Sequence, residues 1–418
     1  MKPRAAIFFY DGYVGVQPSV AGALNGLTDL GYEVDLFIAS PFIPTPPAGL
    51  GAGVRVHQLR PWTRVFSDYL LSRLRRPRLA TQPSPQNGDI TTRAPPLFKT
   101  LMQALLFIVE LPSLVLFIKQ RIKDPTLIIA FDITSFMMGW PFSKIRPFVY
   151  WSLEITPRGE IRDPINKLIK MFELTHINKV SALVTQAEER TALLAHDMSI
   201  TIPVFHIPNA PYSDLIAADN GRFFRDRFNI PDDQTIVLHA GQITSAFMSQ
   251  EIASAAASWP EQYTLIFHER QRRVATEPYV AAVHAAGQGR ALLSLEPLPL
   301  DSVGRAYAGA NVGIVGYDES NANVASAWAS SGKLSYYLKY GLPVVLVTPV
   351  RPRLLDARRF GLWVRDPAEI GSALDEITAN YPTYRRAALE SYAALFDFKS
   401  AFLAFHRAIV RACPPGLK

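Results

Sequence analysis

Cysteine is almost missing from this sequence. The 418-residue chain has one, Cys413, which excludes a disulfide framework, a cysteine metal site and a Cys-x-x-Cys redox pair. A reducing compartment fits that scarcity. Charge is also sparse: 19% of residues are charged and 49% are apolar. That balance is too apolar for disorder and too irregular for collagen or a coiled coil. Neither sign dominates, since 43 Lys and Arg against 36 Asp and Glu leave +7. The excess favours anionic partners such as phosphates, nucleotides or an acidic membrane surface, and it is too small to argue for nucleic acid.

Several chemical signatures are absent as well. G-x-x-x-x-G-K-[ST] does not occur, so there is no Walker A phosphate loop. The first turn offers only Gly12-x-x-Gly15, and Asp35 lies inside the second strand and not at its end. The dinucleotide fingerprint therefore fails twice. No G-x-S-x-G elbow appears, and the eight histidines form no H-E-x-x-H pair. Hydrolase and zinc readings lose their support, and neither a metal nor a cofactor is implied.

Long apolar runs are few. Ala5–Tyr10 is too short for a signal-peptide core and reads as a buried first strand. Leu97–Ile118 approaches bilayer-spanning length, but Glu110 and Pro112 interrupt it. A charge at the bilayer centre costs about 2.5–3.5 kcal/mol. The stretch reads as a buried or surface-docked helix feeding a strand at Thr126–Ala130, with a helix lying in the membrane interface as the alternative.

What is present is alternation. Ala5–Tyr10, a glycine turn, the helical period Val20–Leu30 closed by Gly31, and the strand Glu33–Ile38 make a β-α-β unit of a parallel sheet. Residues 41–96 break the pattern and read as an irregular insertion, rich in proline and basic residues. Six arginines (Arg60, Arg64, Arg73, Arg75, Arg76 and Arg78) lie among aromatics and leucines there. They read either as a solvated helix face or as a patch for anionic lipid headgroups, about 1 kcal/mol per basic residue near the surface. Strands resume at Leu127–Ala130, Phe148–Trp151, Ala182–Thr185 and Val204–Ile207, with a helix at Pro164–Lys179. The turn-rich Pro208-Asn209-Ala210-Pro211 marks a boundary. Beyond it, strands at Thr235–His239, Tyr263–His268, Ala291–Leu295, Val312–Val315 and Val344–Val347 alternate with helices, and the chain is helical from Ala368 almost to the end. The expectation is α/β: two Rossmann-like domains facing across a cleft, with ligands at the carboxyl ends of the strands.

The stretch Asn311–Thr348 is the most informative. A strand ending at Tyr317 gives way to a polar loop. A helix then starts near Ser330-Ser331-Gly332-Lys333 and stops at Gly341-Leu342-Pro343. Serines can cap such a start, and its free N–H groups with the lysine charge make an anion site. An ordinary capped helix with a solvated lysine is the plain alternative. Carboxylates that follow first-half strands are Glu154, Asp132 and Asp11. Glu154 can equally cap a helix or pair with Arg158. Arg270, Arg272 and Arg273 follow a second-half strand and either reach phosphate or remain exposed loop arginines.

Taken in order, these segments resemble GT-B-fold glycosyltransferases, particularly family 4 and the membrane-associated glucuronosyltransferases of exopolysaccharide synthesis. The resemblance is carried by Ser331-Gly332-Lys333-Leu334-Ser335-Tyr336-Tyr337-Leu338 through Gly341-Leu342-Pro343-Val344, by Leu298–Ala310, by His239-Ala240-Gly241-Gln242-Ile243, by Tyr150–Glu154 and Val184–Arg190, and by Pro208–Pro211. It covers nearly the whole chain except residues 41–96. It implies an acceptor-binding domain over 1–207, a donor-binding domain over 208–385, and a C-terminal helix over 386–418 packing back towards the first domain. It also implies donor contacts from Gly241, Gln242, Tyr317, Ser330, Ser331, Lys333, Tyr336 and Arg270. The family's E-x7-E pair falls on Trp328 and Tyr336, so retention loses support and inversion is expected. Inversion requires a base, with Glu154 preferred over Asp132 and Asp11. The implied partners are a nucleoside-diphosphate sugar, a lipid-linked or saccharide acceptor and an anionic membrane surface at the cytoplasmic inner face. No nucleic acid is implied. The competing readings are a non-hydrolysing nucleotide-sugar epimerase and a degenerate transferase acting as a binding subunit.

Overall fold

A computed structural model describes residues 2–10, 17–38, 53–58, 112–145, 147–212, 220–299, 302–320 and 322–412. Asp11, the arginine-rich stretch Arg60–Arg78 and residues 97–111 lie outside them.

The first sheet contains β1 (Arg4–Phe9), β2 (Glu33–Ile38), β3 (Val54–Gln58), β4 (Leu127–Phe131), β5 (Phe148–Trp151), β6 (Ala182–Thr185) and β7 (Val204–His206). Its order is β3-β2-β1-β4-β5-β6-β7, and every pairing is parallel. The second contains β8 (Thr235–Ala240), β9 (Tyr263–His268), β10 (Ala291–Ser294), β11 (Val312–Gly316), β12 (Val344–Val347) and β13 (Gly361–Val364). Its order is β10-β9-β8-β11-β12-β13, again all parallel. Parallel strands need both faces covered, and the strands read accordingly as unbroken apolar runs such as LIIAF, FVYW and VVLV.

The described chain forms two compact units. One holds residues up to Ile207, apart from 17–22, together with 401–412. The other holds 17–22 and Pro208–Ser400. In the first unit, Phe8, Phe37, Ile128, Phe148 and Tyr150 point to one sheet face. Helical residues Leu114, Ile118, Phe136 and Phe172 cover them. On Trp151 lie Phe402 and Phe405 of the helix Phe398–Ala412, with ring centroids 6.5 and 6.3 Å away. In the second unit, Val237, Leu265, Phe267, Ile314, Val345 and Val347 form the sheet's contribution to a core closed by Ile252, Val283, Leu374 and Ile377.

Two strands depart from the sequence expectation. β3 lies inside the stretch read as irregular. Val54 and Val56 alternate with Arg55 and His57, which pair with Glu33 at 2.9 Å and Asp35 at 2.8 Å on β2. Cross-strand polar pairing, an ion pair at Arg55 and a hydrogen bond at His57, is invisible to an apolar count and holds this short edge. β13 opens on Gly361, where a Cβ would sit 2.0 Å from the Val344 carbonyl oxygen. The close approach requires glycine, which disguises the strand.

Candidate functional site

The second unit concentrates its polar machinery at the carboxyl ends of β8, β9 and β11. β8 ends in a turn at Gly241, whose φ of +117° is open essentially only to glycine. A Cβ there would meet Lys333 Nζ at 3.6 Å. Lys333 belongs to the first turn of the helix Gly332–Lys339. Ser331 is that helix's N-cap. Its hydroxyl accepts the Leu334 N–H at 3.4 Å and the Tyr317 hydroxyl at 3.0 Å. The capped turn leaves backbone N–H groups and the positive helix end beside the lysine.

Tyr337 fixes this helix to the sheet. Its hydroxyl donates to the Leu238 carbonyl at 2.8 Å and accepts the Ala240 N–H at 2.7 Å. Its ring sits where a Cβ on Gly313 would be, 2.6 Å from the nearest ring atom. On the loop side, Asn209 donates to the Ser330 carbonyl at 3.2 Å and accepts from the Ser19 hydroxyl at 3.0 Å.

Lys333 is the unusual group. Its ammonium nitrogen is shielded from solvent and has no hydrogen-bond acceptor among the described residues. It rests 4.3 Å from the Phe247 ring centroid and 5.2 Å from that of Tyr317. Burial, reinforced by the Arg270 charge and opposed by Glu269, lowers its pKa to about 7. The neighbouring imidazole of His239 is fully buried, and burial followed by the Lys333 charge pushes it well below its ordinary value. An unpartnered cation beside a glycine turn and a helix start can bind an anion without first breaking an ion pair.

Glu269, at the end of β9, is the residue the sequence did not single out. It is fully buried and accepts three backbone N–H bonds: Ile243 at 2.9 Å, Arg270 at 2.9 Å and Gln271 at 3.2 Å. Burial raises its pKa, and those N–H groups with Arg273 oppose the rise. It therefore staples the turn after β8 to the loop after β9. An acid at the end of a continuous apolar strand was the available signal.

The expected donor residues divide. Gly241, Gln242, Tyr317, Ser330, Ser331 and Lys333 all lie at this end of the sheet. Tyr317 is buried under Lys333, and the Ser330 hydroxyl donates to the Ala327 carbonyl at 3.3 Å. Tyr336 stacks on Tyr307, centroids 4.8 Å apart. Among the three arginines, Arg273 pairs with Glu277 and Glu269, and Arg272 faces Glu296 at 3.6 Å. Arg270 is exposed and its guanidinium has no ion pair among the described residues.

In the first unit, Asp132 and Glu154 follow β4 and β5. Asp132 adopts φ +61°, and its Oδ1 accepts the N–H groups of Leu153 at 2.7 Å and Glu154 at 2.9 Å. The Leu153 carbonyl in turn accepts from Gln186 at 3.1 Å and buried Arg190 at 2.7 Å. Asp132 is thus committed to shaping the loop, and Glu154 is the exposed carboxylate on that braced loop. Among the described residues, no group of His, Cys, Asp and Glu could hold a metal ion.

No protein-family model and no curated protein sequence matches the chain. Solved structures do. Sucrose-phosphate synthase from Thermosynechococcus elongatus is 16% identical with a TM-score of 0.66, over 98% of this chain and 99% of that one. Anabaena HepE, solved with UDP and glucose, is 11% identical with a TM-score of 0.64, over 98% and 100%. A putative UDP-N-acetylglucosamine 2-epimerase from Listeria monocytogenes is 11% identical with a TM-score of 0.56, over 98% and 96%. At these identities the likeness shows fold: an α/β chain of two Rossmann-like units with the GT-B architecture found among glycosyltransferases.

Proposed function

We propose that the chain is a glycosyltransferase that moves a sugar from a nucleoside-diphosphate donor to a lipid-linked or saccharide acceptor. The observation that carries this reading is Lys333, a shielded cation with no acceptor among the described residues, at a capped helix start and against a glycine turn. Departure of a nucleoside diphosphate builds negative charge on its phosphates, and preorganised cationic and N–H groups stabilise such charge. Arg270 adds a second positive group on the solvent side. HepE was solved with UDP-glucose, so UDP-sugars are the first donors to try.

Transfer is proposed to invert the sugar. Glu154 is the proposed general base that takes the acceptor hydroxyl proton, while Asp132 holds the Glu154 backbone in place. Tyr336 occupies the place where the resembled family carries a glutamate, and burial, with the nearby Tyr340, raises its hydroxyl pKa and keeps it neutral. The protein is proposed to work at the cytoplasmic face of a membrane as a peripheral protein, in keeping with its +7 charge. No helix among the described residues is long and apolar enough to cross a membrane.

The test is nucleoside-diphosphate release from a panel of nucleotide sugars with and without acceptor. Release that requires acceptor supports transfer. Conversion of the sugar without acceptor supports the epimerase reading that the Listeria likeness keeps open. Donor binding with neither outcome makes the chain a binding subunit.

A further inference from the structure

The helix Pro164–His176 packs Phe172 on the core but also buries an ion pair and exposes apolar side chains. Two of its charged residues, Lys170 and Glu173, are buried, 2.8 Å apart, and Lys170 also lies 3.5 Å from Asp197. The Tyr150 hydroxyl donates to Glu173 at 2.6 Å. Two of its apolar residues, Leu168 and Met171, face outward, 68% and 43% exposed. Burying an ion pair is costly and large apolar side chains ordinarily go inside. A helix that does both at once is shaped for something on its outer side.

The neighbouring cover of the same sheet face repeats the pattern. Leu114 and Ile118 of the helix over residues 112–121 join the core that also takes Phe172, while Leu116 stands 58% exposed. Within residues 112–145 and 161–179, the exposed cations are Lys119, Lys123, Lys144, Arg162, Lys167 and Lys179. The one exposed acid described there is Asp124, since Asp163 caps its helix and Glu173 is buried. Exposed apolar side chains on segments whose exposed charges are nearly all cationic, with Glu160 just before residues 161–179, complement a surface that is apolar below and anionic above. A protein partner would need matching acids and a closed rim. A lipid bilayer supplies both features without further shape.

We propose that this layer of the first unit, centred on Leu168 and Met171, docks on an anionic lipid bilayer. The two side chains enter the interface while the lysines meet headgroups. The inference rests on the transferase reading only in giving the acceptor side a membrane. It assigns the attachment to a described surface, distinct from the arginine-rich sequence Arg60–Arg78.

The test is flotation of the full chain with vesicles of phosphatidylcholine alone and of phosphatidylcholine with phosphatidylglycerol, alongside sizing in solution. The wild-type chain should float with the anionic vesicles, and Leu168→Asp with Met171→Asp should weaken that binding at least tenfold. Both positions are exposed, so folding is retained. Lys144→Glu with Lys179→Glu should give a smaller loss and a flatter salt dependence. Flotation of the Leu168→Asp, Met171→Asp chain equal to wild type overturns the proposal. So does a wild-type dimer that these substitutions split without changing flotation, because a second copy then covers the face. Nucleoside-diphosphate affinity, read on the same samples, should be unchanged by either pair. Its absence in the wild type would count against the transferase reading alone.

Discussion

The carboxyl ends of the two sheets are built to opposite electrical designs. In the second unit the buried acid, Glu269, accepts three N–H groups, and the cation Lys333 has no acceptor among the described residues. In the first unit the cation Arg190 donates to a carbonyl and Asp132 Oδ1 accepts two backbone N–H groups, while the carboxylate Glu154 stands exposed. Each end uses charged side chains to hold a loop, Glu269 in the second unit and Asp132 with Arg190 in the first, and the charges they present, Lys333 and Glu154, are opposite in sign. A reaction that expels a phosphate and deprotonates a hydroxyl needs that division of labour.

The sharpest way to break the comparison is at Glu154. Glu154→Gln keeps shape and hydrogen bonding but removes basicity, so turnover should fall by about 10²–10⁴-fold. Nucleoside-diphosphate affinity should stay as in the wild type. Normal turnover, or a product that retains the donor's anomeric configuration, would remove the base from this end.

A change of the same kind at the other end should act on binding. Lys333→Ala should weaken nucleoside-diphosphate binding by about 1.5–3 kcal/mol, the worth of a charge-assisted contact. An unchanged dissociation constant in a folded variant would contradict it. Tyr337→Phe probes the frame below the lysine. It strands the Ala240 N–H and the Leu238 carbonyl in the core, so denaturant unfolding should show a loss of about 1–3 kcal/mol. Ser331→Ala removes one cap and should cost about 1 kcal/mol by the same measurement.

Most of the scaffold was legible because parallel strands buried on both faces write themselves as apolar runs. β2, β5, β6, β9 and β12 carry the boundaries read from the sequence. The strands that escaped rely on what a run does not contain: polar cross-strand partners for Arg55 and His57, and a glycine forced by the Val344 carbonyl. At the site, the Lys333 helix start was readable because serine, glycine and lysine there have few other uses together. Its aromatic seat was not, since Phe247 comes from a separate turn 86 residues upstream of Lys333 (333 − 247) and no spacing rule links them. Glu269 escaped for the same reason, since its partners Ile243, Arg270 and Gln271 are backbone groups that any residue carries. Among the carboxylates, sequence could nominate Asp132 and Glu154 but could not tell a committed acceptor from an exposed one.

The central claim is that Lys333 receives the donor phosphates, and its pKa of about 7 makes that claim measurable. Free Lys333 is about half protonated at pH 7. A bound phosphate favours the charged form, so binding must take up protons, about half a proton per ligand at that pH. Affinity then follows the protonated fraction of the free protein. It should fall by about fivefold from pH 7 to pH 8, and Lys333→Arg, always charged, should lose this dependence. Calorimetric titration of the nucleoside diphosphate in buffers of different ionisation enthalpy reads both quantities. Proton uptake that rises with pH and vanishes in Lys333→Arg is the predicted result. Binding with no proton uptake at pH 8 in the wild type would contradict the claim.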